Sequence, residues 1–256
     1  MRDSFLQTLA SKTDLEKVIP ALLKLKPKDA IKFLKEKGFL ITWDWREQLA
    51  LNHEAVFTVA KATKMDILKD IREMLQKSID EGLPFATFQE ELTPMLQAKG
   101  WWGRKIIKGK SVQLGSPWRL KTIYDTNVQS SYNAGRWKAQ EDNKASRPFL
   151  RYISSEDQSV RPAHRALNGT VKPVDDPFWK TYYPPNGYNC RCSVRAFTKE
   201  QAKKSGITKG IPTFKDKKGK TLKAKPDTGF SNNPGRSKWT PKKSDYPADI
   251  WRLGNG

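Results

Sequence analysis

Cysteine and histidine are scarce in this chain of 256 residues: it holds Cys190 and Cys192, His53 and His164, and no others. Two cysteines do not make a disulfide framework. A bridge between residues one apart would be strained, so free thiols or metal ligands are expected rather than a cross-link. Two histidines exclude a His-rich metal site. Long apolar runs are missing as well. Nothing approaches the roughly 20 residues that cross a bilayer as a helix, so no membrane partner is expected. The opening MRDSFLQTLASKTDLEK has no apolar stretch of the signal-peptide kind, so synthesis is expected to leave the chain in the cytoplasm. There is no Walker loop, no Gly-rich dinucleotide fingerprint and no Ser-centred elbow.

What is present is positive charge, unevenly placed. The net charge is +21, with 37% hydrophobic residues and nine Trp, so disorder cannot account for the whole molecule. Residues 1–100 hold 16 Lys and Arg against 15 acids, residues 101–198 hold 17 against 7, and the last 58 hold 15 against 5. A neutral front and a strongly basic rear point to a polyanion at the rear, nucleic acid being the commonest. The alternatives are a solvated basic tail, or one that pairs with an acidic protein.

The front reads as helical. Leu15, Val18, Ile19, Leu22, Leu23 and Leu25 recur at helical spacing, with a kink at Pro20. PKDAIKFLKEKG is a short helix. From Trp45 the apolar residues Leu49, Val56, Phe57 and Ala60 keep the helical period, and Ile67, Leu68, Ile71, Leu75 and Ile79 resume it up to a stop at Gly82. FATFQEELTPMLQAKG is a further helix with Pro94 inside it. Residues 100–116 read as a turn-rich connector. In it Trp101 and Trp102 anchor the helical front to the next segment or, alternatively, form a base-stacking platform.

Ser116-Pro117 is a helix start, a hydroxyl cap followed by proline at the first helical position. The helix it opens has Asn127 and Ser131 on its apolar face, so hydrogen bonds to a neighbouring segment are expected there. FLRYIS and CRCSVRAF alternate like strands, Pro184-Pro185-Asn186-Gly187 is a turn, and Thr198 caps a last short helix. Beyond Gly206 the apolar period vanishes and the chain reads as basic and partly extended. Phe214, Phe230, Trp239, Tyr246 and Trp251 are spaced along it as if to dock on a partner. The fold class expected is α+β, in three parts: residues 1–99 a helical docking or assembly region, 100–205 a small α+β core, and 206–256 the basic tail.

One constellation carries chemistry. On a strand, Cys190 and Cys192 share a face, so both sulfurs could reach one ion. A structural zinc wants four ligands, and His164 with Asp175 or Asp176 would supply the rest. Two other readings stand beside it: packed thiols next to a satisfied His, or Cys–His nucleophilic catalysis. Arg191 and Arg195 could lower a thiol pKa in the last case, but no orienting third group is evident. Glu156, Asp157, Asp175 and Asp176 form an acidic cluster whose spacing matches no two-metal motif. Phosphate neutralisation falls to Lys215, Lys217, Lys218, Lys220, Lys223, Lys225, Arg236, Lys238, Lys242 and Lys243.

Taken together, RLKTIYDTNVQSSYNAGR (119–136), Arg161-Pro162-Ala163-His164, Leu167 and Gly169 recur in order in a known family. So do Asp176-Pro177-Phe178-Trp179 and the Pro185-x-Gly187 turn into Cys190-x-Cys192. The stretch from about residue 100 to 198 resembles the phage Mu F-like minor head proteins, the head morphogenesis proteins of tailed phages and prophages. The resemblance implies a minor structural part of the head near the portal. It implies contact with portal, scaffold or major capsid protein and, in some relatives, with phage DNA during packaging or ejection. It implies no enzymatic activity, a place in the virion with assembly in the host cytoplasm, and, through its recurring His and Cys-x-Cys, a structural zinc. A nuclease or toxin-like enzyme using His164 and the acidic cluster is the alternative, because such head domains occur fused to toxins.

Overall fold

The computed structural model describes residues 28–43, 56–155 and 157–236. The helix expected over Leu15–Leu25, the stretch from Trp45 to Leu49, His53, Glu156, Lys238, Trp239, Lys242, Lys243, Tyr246 and Trp251 lie outside them. The fold is α+β, with two apolar clusters threaded on one long helix.

The first cluster is helical. Lys28–Glu36 (α1), Met65–Glu81 (α2) and Phe85–Ala98 (α3) bury Leu34, Ile67, Leu68, Ile71, Leu75, Ile79, Phe88 and Leu92 against one another. This is the face that the helical period marks. α2 ends where expected: Gly82 sits in the left-handed region at φ 72 and its N–H closes on the Ser78 carbonyl. One stretch differs. Val56–Phe57 (β2) pairs in parallel with Gly38–Phe39 (β1) instead of continuing a helix. Phe57 is buried there, edge-on to Phe39, and an aromatic side chain suits the packed face of a strand.

The expected connector is a hairpin, Arg104–Ile107 (β3) with Lys110–Gln113 (β4). Its turn residues Lys108 and Gly109 both have positive φ, 51 and 73, the signature of the turn that matches strand twist. Trp101 does anchor. It is buried, its Nε1 donates to the Lys61 carbonyl at 2.8 Å, and the Arg119 guanidinium lies 5.0 Å from its ring.

Pro117–Asp142 (α4) comes next, 26 residues long and so about 39 Å. Ser116 Oγ accepts the Arg119 N–H at 3.3 Å, the capping bond expected from Ser-Pro. Ser116→Ala is expected to cost about 1 kcal/mol in urea unfolding; no change would mean that Arg119, which also binds the carbonyls of Gln113, Leu114 and Ala60, holds this end alone. The polar face does not bond as expected. Asn127 donates to its own helix at Ile123, while the bonds to other segments come from Tyr124 Oη to the Leu83 carbonyl and Gln140 Nε2 to the Val194 carbonyl. At Gly135 α1 crosses so closely that an added Cβ would lie 3.4 Å from the Ala30 nitrogen.

The second cluster gathers on the far half of α4. Phe149–Ile153 (β5) is the middle strand of an antiparallel sheet, flanked by Val171–Pro173 (β6) and Ser193–Phe197 (β7). Alternation along β5 turns Leu150 and Tyr152 toward Trp137 of α4, while Phe149 packs with Val171, Phe197 and Ala202. Pro162–Ala166 (α5) and Phe178–Tyr182 (α6) cover the first face. Lys199–Ser205 (α7) has a full capping box between Thr198 and Gln201.

The segment read as an extended tail folds back through residue 236. Thr208 exchanges hydrogen bonds with Val171. Thr213–Lys215 (β8) and Thr221–Lys223 (β9) then form a hairpin. Ala224, Phe230 and Asn233 are buried: Phe230 meets Tyr188 edge-on at 4.9 Å, and Asn233 Nδ2 donates to the Trp179 carbonyl. Among the described residues of this segment, Ala224 joins the second cluster and Phe230 packs on Tyr188, so both dock on this chain itself.

Candidate functional site

His164 sits in the five-residue helix α5, which Pro162 opens. Cys190 and Cys192 lie in the loop before β7 rather than on the strand, so face-sharing is not what joins them. The loop turns at Asn189, whose φ is 55, and the Cys190 N–H closes on the Gly187 carbonyl. The result still brings three groups together: His164, Cys190 and Cys192 are each 3% exposed or less, and their ligand atoms all lie within 4.8 Å of one another.

Asp175 and Asp176 are elsewhere. Asp175 is exposed and pairs with Lys144, while Asp176 accepts the Phe178 N–H at the start of α6 and faces Lys172. Asp157 is likewise engaged, gripped by Arg191 through both oxygens at 2.5 and 2.6 Å, which holds its carboxyl below the usual range. That grip takes Arg191 to Asp157, and Arg195 lies over the Phe197 ring. Asp157, Asp175 and Asp176 are therefore split among separate basic partners.

The carboxylate that reaches His164 is one the sequence did not nominate. Asp227 Oδ1 lies 3.6 Å from His164 Nε2, and its other oxygen lies 3.0 Å from Arg161 Nε. Its N–H donates to the Asn186 carbonyl, and Gly187 is needed beside it, since a Cβ there would collide with the carboxylate. Asn186 is fully buried; its Nδ2 donates to Tyr152 Oη and to the Tyr182 carbonyl. Arg161 Nη2 donates to the Tyr188 carbonyl. The sequence signal for Asp227 is slight: it is the one acid between Asp216 and Asp245, inside Pro226-Asp227-Thr228-Gly229.

Electrostatics couple these groups. Burial opposes a charge on His164, yet Asp227 and Cys190 outweigh it and raise the imidazole to about 9. The Cys192 thiol, hydrogen-bonded to Cys190, is the main cause holding the Cys190 thiol well below its ordinary value, with His164 adding to it against burial. Cys192 itself is pushed up, by that same bond and by burial. Burial and the neighbouring cysteines raise Tyr152. Cys190, His164 and Asp227 are the residue types of a nucleophile, a base and an orienting acid, but at 2% exposure neither the Cys190 sulfur nor the imidazole is open to a substrate carbonyl. The same donors suit a soft cation. A cleft of about 1170 Å³ reaches the edge of this site, where Ala163, Asn189 and Asp227 line it.

The basic residues expected on the tail are described in part. Lys215, Lys217, Lys218, Lys220 and Lys223 are exposed on the β8–β9 hairpin and Lys225 just after it. The Asp216 carboxylate ties the turn by accepting the N–H groups of Lys218 and Lys220, both at 2.9 Å. Arg236 lies 5.5 Å from the Trp137 ring.

The family model described as "Phage Mu protein F like protein" matches residues 69–195, a span that takes in His164 and both cysteines and ends before Asp227. Protein F of Escherichia phage Mu, named for capsid assembly, is 40% identical over 240 residues, covering 83% of this chain and 55% of that protein. The Mu-like prophage FluMu F protein of Haemophilus influenzae is 43% identical over 168 residues, 65% of this chain and 41% of its own length. The chain thus spans about half the length of the curated relatives it matches. No solved structure matches it.

Proposed function

We propose, for a chain that belongs to the Phage Mu protein F like family, a structural part in building a tailed-phage head, near the portal, with contact to DNA that does not depend on sequence. The observation that carries this is the alignment along most of the chain with a relative named for capsid assembly. Its partners are then the portal, scaffold or major capsid protein. It assembles in the host cytoplasm and stays in the virion.

DNA contact rests on the β8–β9 hairpin, which presents Lys215, Lys217, Lys218, Lys220 and Lys223 on a short, tied support. Lysines of this kind neutralise phosphate and read no base. The logarithm of the affinity for random duplex is expected to fall linearly with the logarithm of salt concentration, with a slope of about −4.5 if five phosphates are engaged. Each Lys→Ala change on the hairpin should reduce that slope by about 1. An unchanged slope after all five are replaced would move the contact off the hairpin.

The nuclease reading loses support, because the acids it needs are parted from His164 and engaged by Lys144, Lys172 and Arg191. The head-assembly reading is tested by interrupting the gene in its own phage genome and imaging the lysates by electron microscopy. Missing or aberrant heads, restored by the chain supplied in trans, are expected; normal, filled heads would overturn it.

A further inference from the structure

We infer that His164, Cys190, Cys192 and Asp227 make a four-donor site for a soft divalent cation, zinc being the ion that suits it. The ion would fasten the folded-back segment after Gly206 onto the sheet. The inference stands apart from the head-assembly reading and does not need it.

Four observations carry it. The three ligand atoms of His164, Cys190 and Cys192 already lie within 4.8 Å of one another. Around a tetrahedral zinc, with bonds near 2.0 Å to nitrogen and 2.3 Å to sulfur, neighbouring donors sit roughly 3.5 Å apart. A modest contraction therefore brings these three onto one ion, and Asp227, which stands outside that group and next to His164, would have to swing in to complete the four.

The second is the His164 Nε2 atom. It is buried and has no hydrogen-bond partner among the described residues. The Asp227 oxygen stands 3.6 Å away, too far for a hydrogen bond and near the spacing of two ligands on one ion. A buried nitrogen left unsatisfied is costly; an ion between the two would satisfy both.

The third is how Asp227 is held. Arg161 Nε fixes its outer oxygen, the Asn186 carbonyl takes its N–H, and Gly187 leaves the gap that it fills. Such a shell orients a carboxylate toward an ion rather than leaving it to solvent. The fourth is chemical. Two sulfurs, one imidazole and one carboxylate select zinc over magnesium or calcium, which prefer all-oxygen shells. The cleft beside Ala163, Asn189 and Asp227 gives the ion a way in.

The consequence is specific to Asp227. Three donors lie between residues 164 and 192, and the fourth is brought by the returning chain, so the ion joins two stretches far apart in sequence. The test uses the whole chain of 256 residues. Metal analysis should find about one zinc per chain. Cobalt(II) added to the chelated protein should give a thiolate-to-cobalt charge-transfer band and the visible bands of a tetrahedral site. Chelation should also make residues 206–236 cleavable by a trace of protease while the first cluster stays resistant.

Asp227→Asn, at a partly exposed position that leaves the thiols and His164 in place, should weaken zinc binding by at least about 10-fold and open the returning segment without chelator. Cys192→Ser should abolish the charge-transfer band; if that variant does not fold, the Asp227→Asn result and the wild-type cobalt spectrum decide. A folded wild-type protein that takes up neither zinc nor cobalt overturns the site. An Asp227→Asn protein with wild-type affinity and protease resistance overturns Asp227 as the fourth donor.

Discussion

Replacing Trp137 with Ala should remove about 3–5 kcal/mol of stability, the range for a large aromatic deleted from a packed interior. Trp137 is 1% exposed and stands where three pieces of the chain meet. It projects from α4, meets Tyr183 edge-on with ring centroids 5.0 Å apart, and carries the backbone of Gly235 directly against its ring. No side chain could replace Gly235 without displacing that ring. Arg236 lies over it from the returning segment. The alanine variant therefore loses contacts to helix, loop and tail together, and neighbours tied to separate elements cannot collapse far into the hole. Trp137→Phe should recover part of the loss. Urea unfolding checks this, and a loss under about 1 kcal/mol would mean that the second cluster is anchored elsewhere.

A chain ending at Gly206 is expected to lose cooperative unfolding of its second cluster, with a cost on the order of 5 kcal/mol. The reasoning is one of area. Ala224 and Phe230 leave the interior, Tyr188 loses the ring against it, and Trp137, Trp179 and Tyr182 lose their contacts with Gly235, Asn233 and Ala224. At about 1.5–3 kcal/mol per large apolar side chain, two or three such exposures approach the whole stability of a small domain. Hydrogen bonds go too: Asn233 to the Trp179 carbonyl, Tyr182 Oη to the Ala224 carbonyl, and Thr208 to β6. Thermal melting followed by near-ultraviolet dichroism reads this directly, because the affected rings are the chromophores. A truncated chain melting with the full one would restore the view of residues 206–236 as an appendage.

Local signals in the sequence translate well. Ser116-Pro117, the Thr198–Gln201 box and Gly82 all act where the residue types say they should, since each completes hydrogen bonds within a few residues. Pairings that depend on distant segments are where the reading departs. β2 is two residues long and exists because β1 runs beside it; its apolar spacing alone fits a helix. The β3–β4 turn uses a lysine at positive φ in place of the asparagine that usually marks it. At the candidate site, His164 and the two cysteines are legible as reactive types, and the structure brings them together by a loop turn at Asn189, not by strand alternation. Asp175 and Asp176 are nearer in sequence but answer to Lys144 and Lys172. Asp227 answers to His164 because the chain returns, and no local pattern encodes a return.

The long helix α4 has a further consequence for how force passes through the molecule. Its first half is buried in one cluster through Leu120, Tyr124 and Val128, its second in the other through Trp137, and α1 crosses it at Gly135 between them. Its hydrogen-bond ladder is shared by both, so the two clusters have this one backbone element in common. A pull applied to one end cannot be absorbed by a hinge along α4, whose proline is confined to the first turn. Strain from a partner gripping the helical front is therefore delivered, along a rod of about 39 Å, to the second cluster around Trp137.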